Sequence, residues 1–257
     1  MTASAVLVTR PEGQAARLCA ALALQGYAVH TQPLMELSAL PELAAADQQY
    51  LQNLDQYQHI IFISGNAVHF GMERVVAHWP QLPVGINWYA IGASTAQSLA
   101  AYGVVPLSPA SEMTSEGLLA LPTLHAVAGD KVLIVKGEGG RATLRETLEN
   151  RGAQLNELRC YRRICPSLAA GELAQNIRDW QIGLILISSG EGLTNMLALL
   201  SPQETTNLQS MALLVPSRRI AREAEAMGFT NIILAENASD AAVMQAVDNW
   251  QSGSGES

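Results

Sequence analysis

The chain has 257 residues, of which 49% are hydrophobic and 15% charged. That balance fits one large or two small well-buried domains and excludes a disordered chain. A formal net charge of −8 excludes bulk nucleic-acid binding, no apolar run is long enough to span a membrane, and three cysteines without a CxxC pair support neither a disulfide framework nor a zinc site.

In chain order, residues 5–10 read as a strand, 11–25 as a helix and 27–31 as a second strand. The chain enters its first strand without a basic segment and apolar core of the secretory kind, so a cytoplasmic location is expected. Cys19 falls on the predicted helix face as a small core residue. Residues 31–40 carry Pro33 and stay extended, and 41–56 read as a helix opening at Pro41. Residues 59–63 are a buried strand followed by Ser64-Gly65-Asn66 and a helix to His78. Residues 88–91 are a strand followed by Gly92-Ala93-Ser94-Thr95 and a helix to Tyr102. Val104-Val105-Pro106 reads as a short strand, 107–115 as a polar loop, and Ser115-Glu116-Gly117 leads into a short helix.

Residues 131–163 organise the rest. Val132-Leu133-Ile134-Val135 is an apolar strand ended by Lys136. Gly137, Gly139 and Gly140 follow, in a turn that lets backbone come close to a ligand. Leu144 and Leu148 sit at helical spacing, Gly152 caps the helix, and Leu155, Glu157, Arg159 and Tyr161 alternate along a second strand. The first 35 residues repeat this plan at an offset of 126 positions without a gap. Arg10 falls on Lys136, Gly13 on Gly139, Gly26 on Gly152 and Met35 on Tyr161. One architecture used twice accounts for the register, although any two β-α-β units share part of it.

After Pro166 the rhythm resumes. Residues 184–187 lead into Ser188-Ser189-Gly190 and a helix, and 211–215 into Pro216-Ser217-Arg218-Arg219 and a helix ending at Gly228. Residues 232–234 are a strand, Ser239-Asp240 starts a last helix to Trp250, and 251–257 are expected to be a disordered tail. Strands alternating with helices imply α/β architecture, here two doubly wound parallel-sheet domains joined by a two-stranded β-ladder hinge. The expected first domain is discontinuous, 1–35 plus 167–257. The second is 39–161, and 36–38 and 162–166 are the hinge linkers.

Six strands end in a small, polar or basic turn. Ligands of open α/β sheets bind outside the carboxyl ends of the strands, where helix N-termini offer backbone N–H groups and partial positive charge. The candidate contacts are Arg10, Ser64, Asn66, Ser94, Thr95, Lys136, Gly137, Gly139, Gly140, Arg141, Ser188, Ser189, Ser217 and Arg218. Each Ser or Thr also suits a helix N-cap, and together the set favours an anion-binding cleft between domains. Only Lys131 and Lys136 among the 15 basic residues are lysines; arginine's planar fork suits carboxylates and phosphates. Two competitors stay open. Residues 137–142 match GxGxxA with Glu157 further on, as a nucleotide-dependent enzyme would have, and a two-lobed small-anion-binding protein would show the same turns. His30, His59, His69, His78 and His125 have no metal-ligand spacing, and no GxSxG elbow occurs. Tyr161 suits hinge packing or function equally on spacing.

The ordered set of turns resembles the uroporphyrinogen-III synthase family. It comprises Thr9-Arg10-Pro11, Phe62-Ile63-Ser64-Gly65-Asn66-Ala67-Val68, Ile91-Gly92 with Thr95-Ala96, and Thr114-Ser115-Glu116-Gly117-Leu118. It continues with Gly137-Glu138-Gly139-Gly140-Arg141, Tyr161-Arg162-Arg163, Pro216-Ser217-Arg218-Arg219-Ile220-Ala221 and Ala238-Ser239-Asp240. Lys136 departs from the family's more frequent arginine, which keeps the charge and loses the bidentate fork. The resemblance implies a monomeric, cofactor-free and metal-free lyase of tetrapyrrole and haem biosynthesis. Its substrate is hydroxymethylbilane, a linear tetrapyrrole with eight carboxylates. Loss of hydroxide gives an azafulvene, the last ring attacks through its substituted carbon, and the spiro intermediate recloses with that ring inverted. By the same resemblance, Tyr161 is the candidate proton donor to the departing hydroxide, with Thr95 and Ser64 near the substrate.

Overall fold

The computed structural model describes residues 5–110, 113–140 and 142–253. The described chain contains two five-stranded sheets and divides into two units. One unit holds the residues up to Leu37 and from Ile164 onward, and the other is Ser38–Arg163. The chain changes unit within β3 (Glu36–Ala39) and returns at the end of β7 (Gln154–Ile164), two strands that are neighbours in the second sheet.

The first sheet has the order β10-β9-β8-β1-β2, built from β1 (Ala5–Val8), β2 (Val29–Thr31), β8 (Ile182–Leu186), β9 (Ala212–Val215) and β10 (Ile232–Leu234). All four of its pairings are parallel. Successive strand residues go to opposite faces, and both faces are covered. Leu7, Ile185, Leu213 and Val215 pack with α7 (Glu172–Asp179), α8 (Gly190–Ala198), α9 (Pro202–Leu208) and α10 (Arg218–Ala226). Val6, Val8, Leu184 and Leu214 pack with Leu18 and Leu22 of α1 (Ala16–Leu24) and Val243 and Val247 of α11 (Asp240–Gly253). A sheet buried on both faces needs continuous apolar strands rather than alternating ones, which is why these four-residue runs were readable.

The second sheet has the order β3-β7-β6-β4-β5, with β4 (His59–Phe62), β5 (Asn87–Ala90) and β6 (Lys131–Gly137). One face carries Ile61, Tyr89, Val132 and Ile134 against Leu118 of α5 (Ser115–Leu119) and Leu144 and Leu148 of α6 (Thr143–Asn150). The other lies under α3 (Gly65–His78), whose Gly71 approaches so closely that an added Cβ would meet Val135 and Phe62 at 2.5 and 3.3 Å. Helices α2 (Ala45–Gln52) and α4 (Ala93–Ala100) complete this unit.

The internal repeat is present in three dimensions. Strands β1 and β2 with α1 match β6 and β7 with α6, and the paired glycines share the left-handed conformation, Gly13 and Gly139 at φ +75° and +73°, Gly26 and Gly152 at +89° and +86°. In each sheet a strand–turn–helix partner follows, β8 beside β1 and β4 beside β6, then β9 and β5. The two units are therefore one plan entered at different points of its chain order.

Several expected elements differ. Residues 104–106 form no strand: a single parallel bridge joins Tyr89 to Leu107, and Val105 is 93% exposed. Pro106 has no N–H to extend a ladder. The helix expected over 41–56 is Ala45–Gln52 followed by a short 3₁₀ turn, and the one expected over 11–25 begins at Ala16. Helix α11 continues to Gly253, so 251–253 are not a loose tail, while 254–257 lie outside the described residues. Helices α7 and α9 were not anticipated. The most consequential difference is in β7. Its pairing with β6 runs Lys136↔Arg159 and then Gly137↔Tyr161, so Cys160 is an extra residue. Strict alternation would place Tyr161 on the face of Glu157 and Arg159; the bulge turns it to the opposite one.

At the amino ends of the second sheet, buried His59 joins two partners. Its Nδ1 lies 2.9 Å from the Tyr89 hydroxyl and its Nε2 3.1 Å from Asp130. We predict that His59→Ala lowers stability by about 2–4 kcal/mol through the lost packing and the two abandoned polar partners, with kcat of the folded fraction unchanged. Urea unfolding checks the first part. A stability change within about 0.5 kcal/mol, the usual range of a neutral surface change, would remove this network from the account.

Candidate active site

The carboxyl ends of the second sheet carry two groups of functional side chains, and the β7 bulge separates them. On the α6 side, Lys136 of β6 is 7% exposed and its Nζ donates to Glu157 of β7 at 3.1 Å. Arg159 donates to the other Glu157 oxygen at 3.3 Å. Burial alone would raise the Glu157 pKa. The hydrogen bond and charge of Lys136, helped by Arg159 and the nearby Arg145, outweigh it and hold the carboxyl below its usual value. A cavity of about 310 Å³ opens here. Ile63, Ile91, Ile134 and Leu144 line it together with Thr114, Ser115, Lys136, Arg145 and Glu157. A second hollow of about 420 Å³ adjoins it at Lys136, Arg145 and Glu157 and is walled by Gly139, Gly140 and Arg159. An apolar floor with a cationic, hydroxyl-bearing wall suits a ring that carries acid groups.

On the α3 side, Tyr161 is 1% exposed. Its ring stacks on Phe70 of α3, centroids 5.1 Å apart and planes 24° apart. The other side of the ring lies over Gly137, where an added Cβ would meet Cζ at 2.6 Å. Gly137 is thus the seat of a phenol rather than a bend for ligand approach. The Tyr161 hydroxyl lies 3.3 Å from Oγ of Ser64. Ser64 caps α3, its Oγ accepting the Ala67 N–H at 3.0 Å. Neighbouring Cys160 is enclosed, and burial pushes its thiol up to about 12, which keeps it unreactive.

The remaining expected site residues are spread over both units. Thr95 is buried in the first turn of α4 with Ser94 exposed beside it, and Asn66 lies in the first turn of α3. Gly139 and Gly140 form the exposed turn after β6, and Arg141 lies outside the described residues. In the other unit, Arg10 pairs with Asp240 at 2.5 Å and donates to the Ala238 carbonyl at 2.9 Å, tying the end of β1 to the start of α11. Ser189 and Ser217 are N-caps of α8 and α10, their Oγ atoms accepting from Gly192 and Ile220. Ser188 lines a small cavity with Arg10, and Arg218 borders a groove of about 620 Å³ against α11. Arg145 was missed in the sequence because nothing in one helical turn says which side faces a cavity. The N-cap of α5, Thr114, belongs to the same wall.

The dinucleotide reading fails on geometry. It needs Glu157 free for a ribose, and here Lys136 and Arg159 hold both carboxylate oxygens. It also needs Gly137 for the turn, and here Gly137 is the last residue of β6, under Tyr161. Among the described residues, no group of three or more His, Cys, Asp and Glu side chains is placed to hold a metal ion.

Known proteins resemble this chain in sequence and in fold. A sequence profile described as uroporphyrinogen-III synthase HemD matches residues 16–245. The chain is 33% identical over 250 residues to the uroporphyrinogen-III synthase of Escherichia coli K12, covering 94% of this chain and 99% of that one. It is 32% identical over 248 residues to that of Salmonella typhimurium LT2, with 94% and 99% covered. The fold matches a crystal structure of a mutant uroporphyrinogen III synthase from the extremely thermophilic bacterium Thermus thermophilus with a TM-score of 0.59 at 15% identity, covering 96% of this chain and 98% of that one. It matches uroporphyrinogen-III synthetase from Helicobacter pylori 26695 with a TM-score of 0.58 at 13% identity, covering 95% and 99%.

The separation of the two groups can be tested from each side. Gly137→Ala should displace the Tyr161 ring, costing about 1–3 kcal/mol by overpacking and most of the turnover. Gly26→Ala, at the end of α1, meets no neighbour and should cost only its left-handed backbone, about 1–2 kcal/mol, with turnover kept. Equal turnover in the two variants would contradict the seat. Glu157, with its folded pKa below the unfolded value of about 4.3, adds stability above that pH and loses it as pH falls through the folded value. Glu157→Gln should therefore be less stable at neutral pH and lose less stability on acidification below about pH 4.3. Parallel urea-unfolding curves for both proteins across that range would refute this.

Proposed function

We propose a division of labour among these residues from one premise: the chain belongs to the uroporphyrinogen-III synthase family. Its function is formation of uroporphyrinogen III in tetrapyrrole biosynthesis. In chemical class it is a cyclising hydro-lyase acting on hydroxymethylbilane, as a monomer in the cytoplasm, without metal or organic cofactor. Among the described residues no helix is long and apolar enough to cross a membrane.

The cavity over the second sheet is the observation that carries the site assignment. Its isoleucine and leucine floor receives a pyrrole face, and Lys136, Arg145 and the turn at Gly139-Gly140 receive acetate or propionate carboxylates. Lys136 is already partnered by Glu157, so it acts chiefly as a fixed positive centre under the turn, and exposed Arg145 provides the adaptable contact. In the first unit, Ser188, Ser189, Ser217 and Arg218 offer a second set of strand-end donors, and Arg10 braces them through Asp240. Ser94, Thr95 and Asn66 place further polar groups at the starts of α4 and α3.

This inventory fits a reaction that is steered rather than driven. Once hydroxide leaves, the azafulvene is electrophilic without further help, and water alone allows direct closure to the symmetric isomer. A 100-fold preference for the inverted product requires about 2.7 kcal/mol of differential transition-state binding, which a few oriented hydrogen bonds supply. Departure of hydroxide is the step that needs a proton donor. The hydroxyl pair Tyr161–Ser64, at the carboxyl end of β4, is placed to provide it.

Incubation with hydroxymethylbilane, oxidation and isomer analysis tests the assignment. We expect isomer III from the folded enzyme and isomer I from a heat-inactivated control; isomer I from both would overturn it. Arg145→Ala should raise KM by about 3–10-fold at low salt, within the range of one lost hydrogen bond of ordinary strength at an exposed site, with kcat kept and the effect shrinking as salt rises. Arg178→Ala, on the exposed side of α7, should leave KM unchanged. Equal KM shifts in the two variants would show that only net charge matters.

A further inference from the structure

We infer that Ser64 is the group that hands a proton to the departing hydroxyl, and that Tyr161 stands behind it as a positioning and relay residue. The inference rests on the hydroxyl-assisted departure proposed above and reverses the roles that the family resemblance suggests.

Valences decide which hydroxyl donates. A serine hydroxyl has one proton and two lone pairs. One lone pair of Ser64 accepts the Ala67 N–H at 3.0 Å, a bond fixed by the helix start. The Tyr161 hydroxyl lies 3.3 Å from the same oxygen. The Tyr161 ring cannot swing, because Gly137 lies under it and Phe70 over it. Were Ser64 the donor in this pair, the phenol proton would need another acceptor inside an enclosure that leaves Tyr161 1% exposed, and an unmet buried donor is costly. With Tyr161 donating, both lone pairs of Ser64 are filled and its own proton can only point outward. Ser64 is half-buried at the start of α3, whereas Tyr161 is enclosed. Of the two hydroxyl-bearing residues, the serine is the one open enough to meet a substrate.

The repeat supports a special role for the pair. In the first unit the equivalent helix start is also capped by a serine, Ser189, whose Oγ accepts the Gly192 N–H at 3.0 Å. The position equivalent to Tyr161 is Met35, which has no hydroxyl to give. Capping therefore needs only the serine, and the phenol is an addition confined to one unit.

Atoms and electrons balance in the step. The substrate C–O bond breaks with its electron pair going to oxygen, and the pyrrole nitrogen pair forms the exocyclic C=C of the azafulvenium. The leaving oxygen takes the Ser64 proton and departs as water. The Tyr161 proton moves to Ser64 Oγ. The phenolate recovers a proton when the closed macrocycle sheds one to restore pyrrole aromaticity.

A double-mutant cycle on kcat tests this, with isomer analysis and melting temperature recorded for each variant. Ser64→Ala should lower kcat by about 10²-fold or more, the lower end for general-acid assistance, and Tyr161→Phe by about tenfold, with KM little changed in both. Tyr161→Phe placed on Ser64→Ala should cost less than twofold further. Ser64→Gly keeps a tolerated N-cap without a hydroxyl and should match Ser64→Ala, whereas Ser64→Thr should restore most of kcat. If Tyr161→Phe slows turnover by the same factor with and without Ser64, Tyr161 is itself the donor and the inference fails while hydroxyl assistance stands. If neither Ser64 nor Tyr161 variants lose turnover while the parent makes isomer III, hydroxyl-assisted departure fails too.

Discussion

A one-residue slip between two parallel strands governs this site. Up to Lys136, β6 and β7 are in simple register; at Gly137 the partner is Tyr161 instead of Cys160. Without that slip Tyr161 would share a face with Glu157 and Arg159 and its ring would lie among charges. With it, the charged residues stay over α6 and the phenol goes under α3. The cost of a broken ladder is limited, because Glu138 resumes pairing by donating its N–H to the Tyr161 carbonyl at 2.8 Å. The missing side chain of residue 137 is what makes the arrangement sterically possible.

The second theme is reuse. Each unit places strand ends, glycine turns and serine-capped helices at one pole, yet the cations are treated differently. Arg10 is closed off by Asp240 on the last helix, while its counterpart Lys136 is balanced by Glu157 on the adjacent strand, with Arg145 and Arg159 beside it. Of the charged groups around the hollow under the glycine turn, Lys136, Arg145 and Arg159 outweigh Glu138 and Glu157. An acidic chain can thus present a locally positive site, because what an acid-bearing ligand meets is the local field rather than the net charge. Asp47 of α2 adds to the frame around Arg159: burial raises its pKa, and the positive charge and backbone N–H of Arg159 work against that rise.

How much of this was readable from residues alone follows from the range of each interaction. The buried strands, the turns after them and the glycine caps are local, and the α/β plan, the internal repeat and the membership of the family were legible from them. Residues 104–106 misled because apolar, β-branched composition is shared by strands and by exposed segments, and Pro106 decided the matter. The face of Tyr161 was not legible, since alternation is blind to a bulge created by the partner strand. Nor was the pairing of Arg10 with Asp240, which are 230 positions apart. Gly137 carried a visible signal, a glycine at a strand end, that was assigned the commoner reason. The N-cap reading of Ser64 was correct and incomplete, because a cap uses one lone pair and leaves the hydroxyl able to meet Tyr161 as well.

The proposed proton delivery turns on the direction of one hydrogen bond, between Tyr161 and Ser64, so the most direct measurement is to see its protons. Neutron diffraction from deuterium-exchanged crystals of the enzyme locates hydroxyl deuterons. The account predicts the Tyr161 deuteron on the line to Ser64 Oγ, and the Ser64 deuteron turned away from Tyr161 and from the Ala67 N–H. A Ser64 deuteron lying between the two oxygens, with the phenol deuteron directed elsewhere, would contradict it.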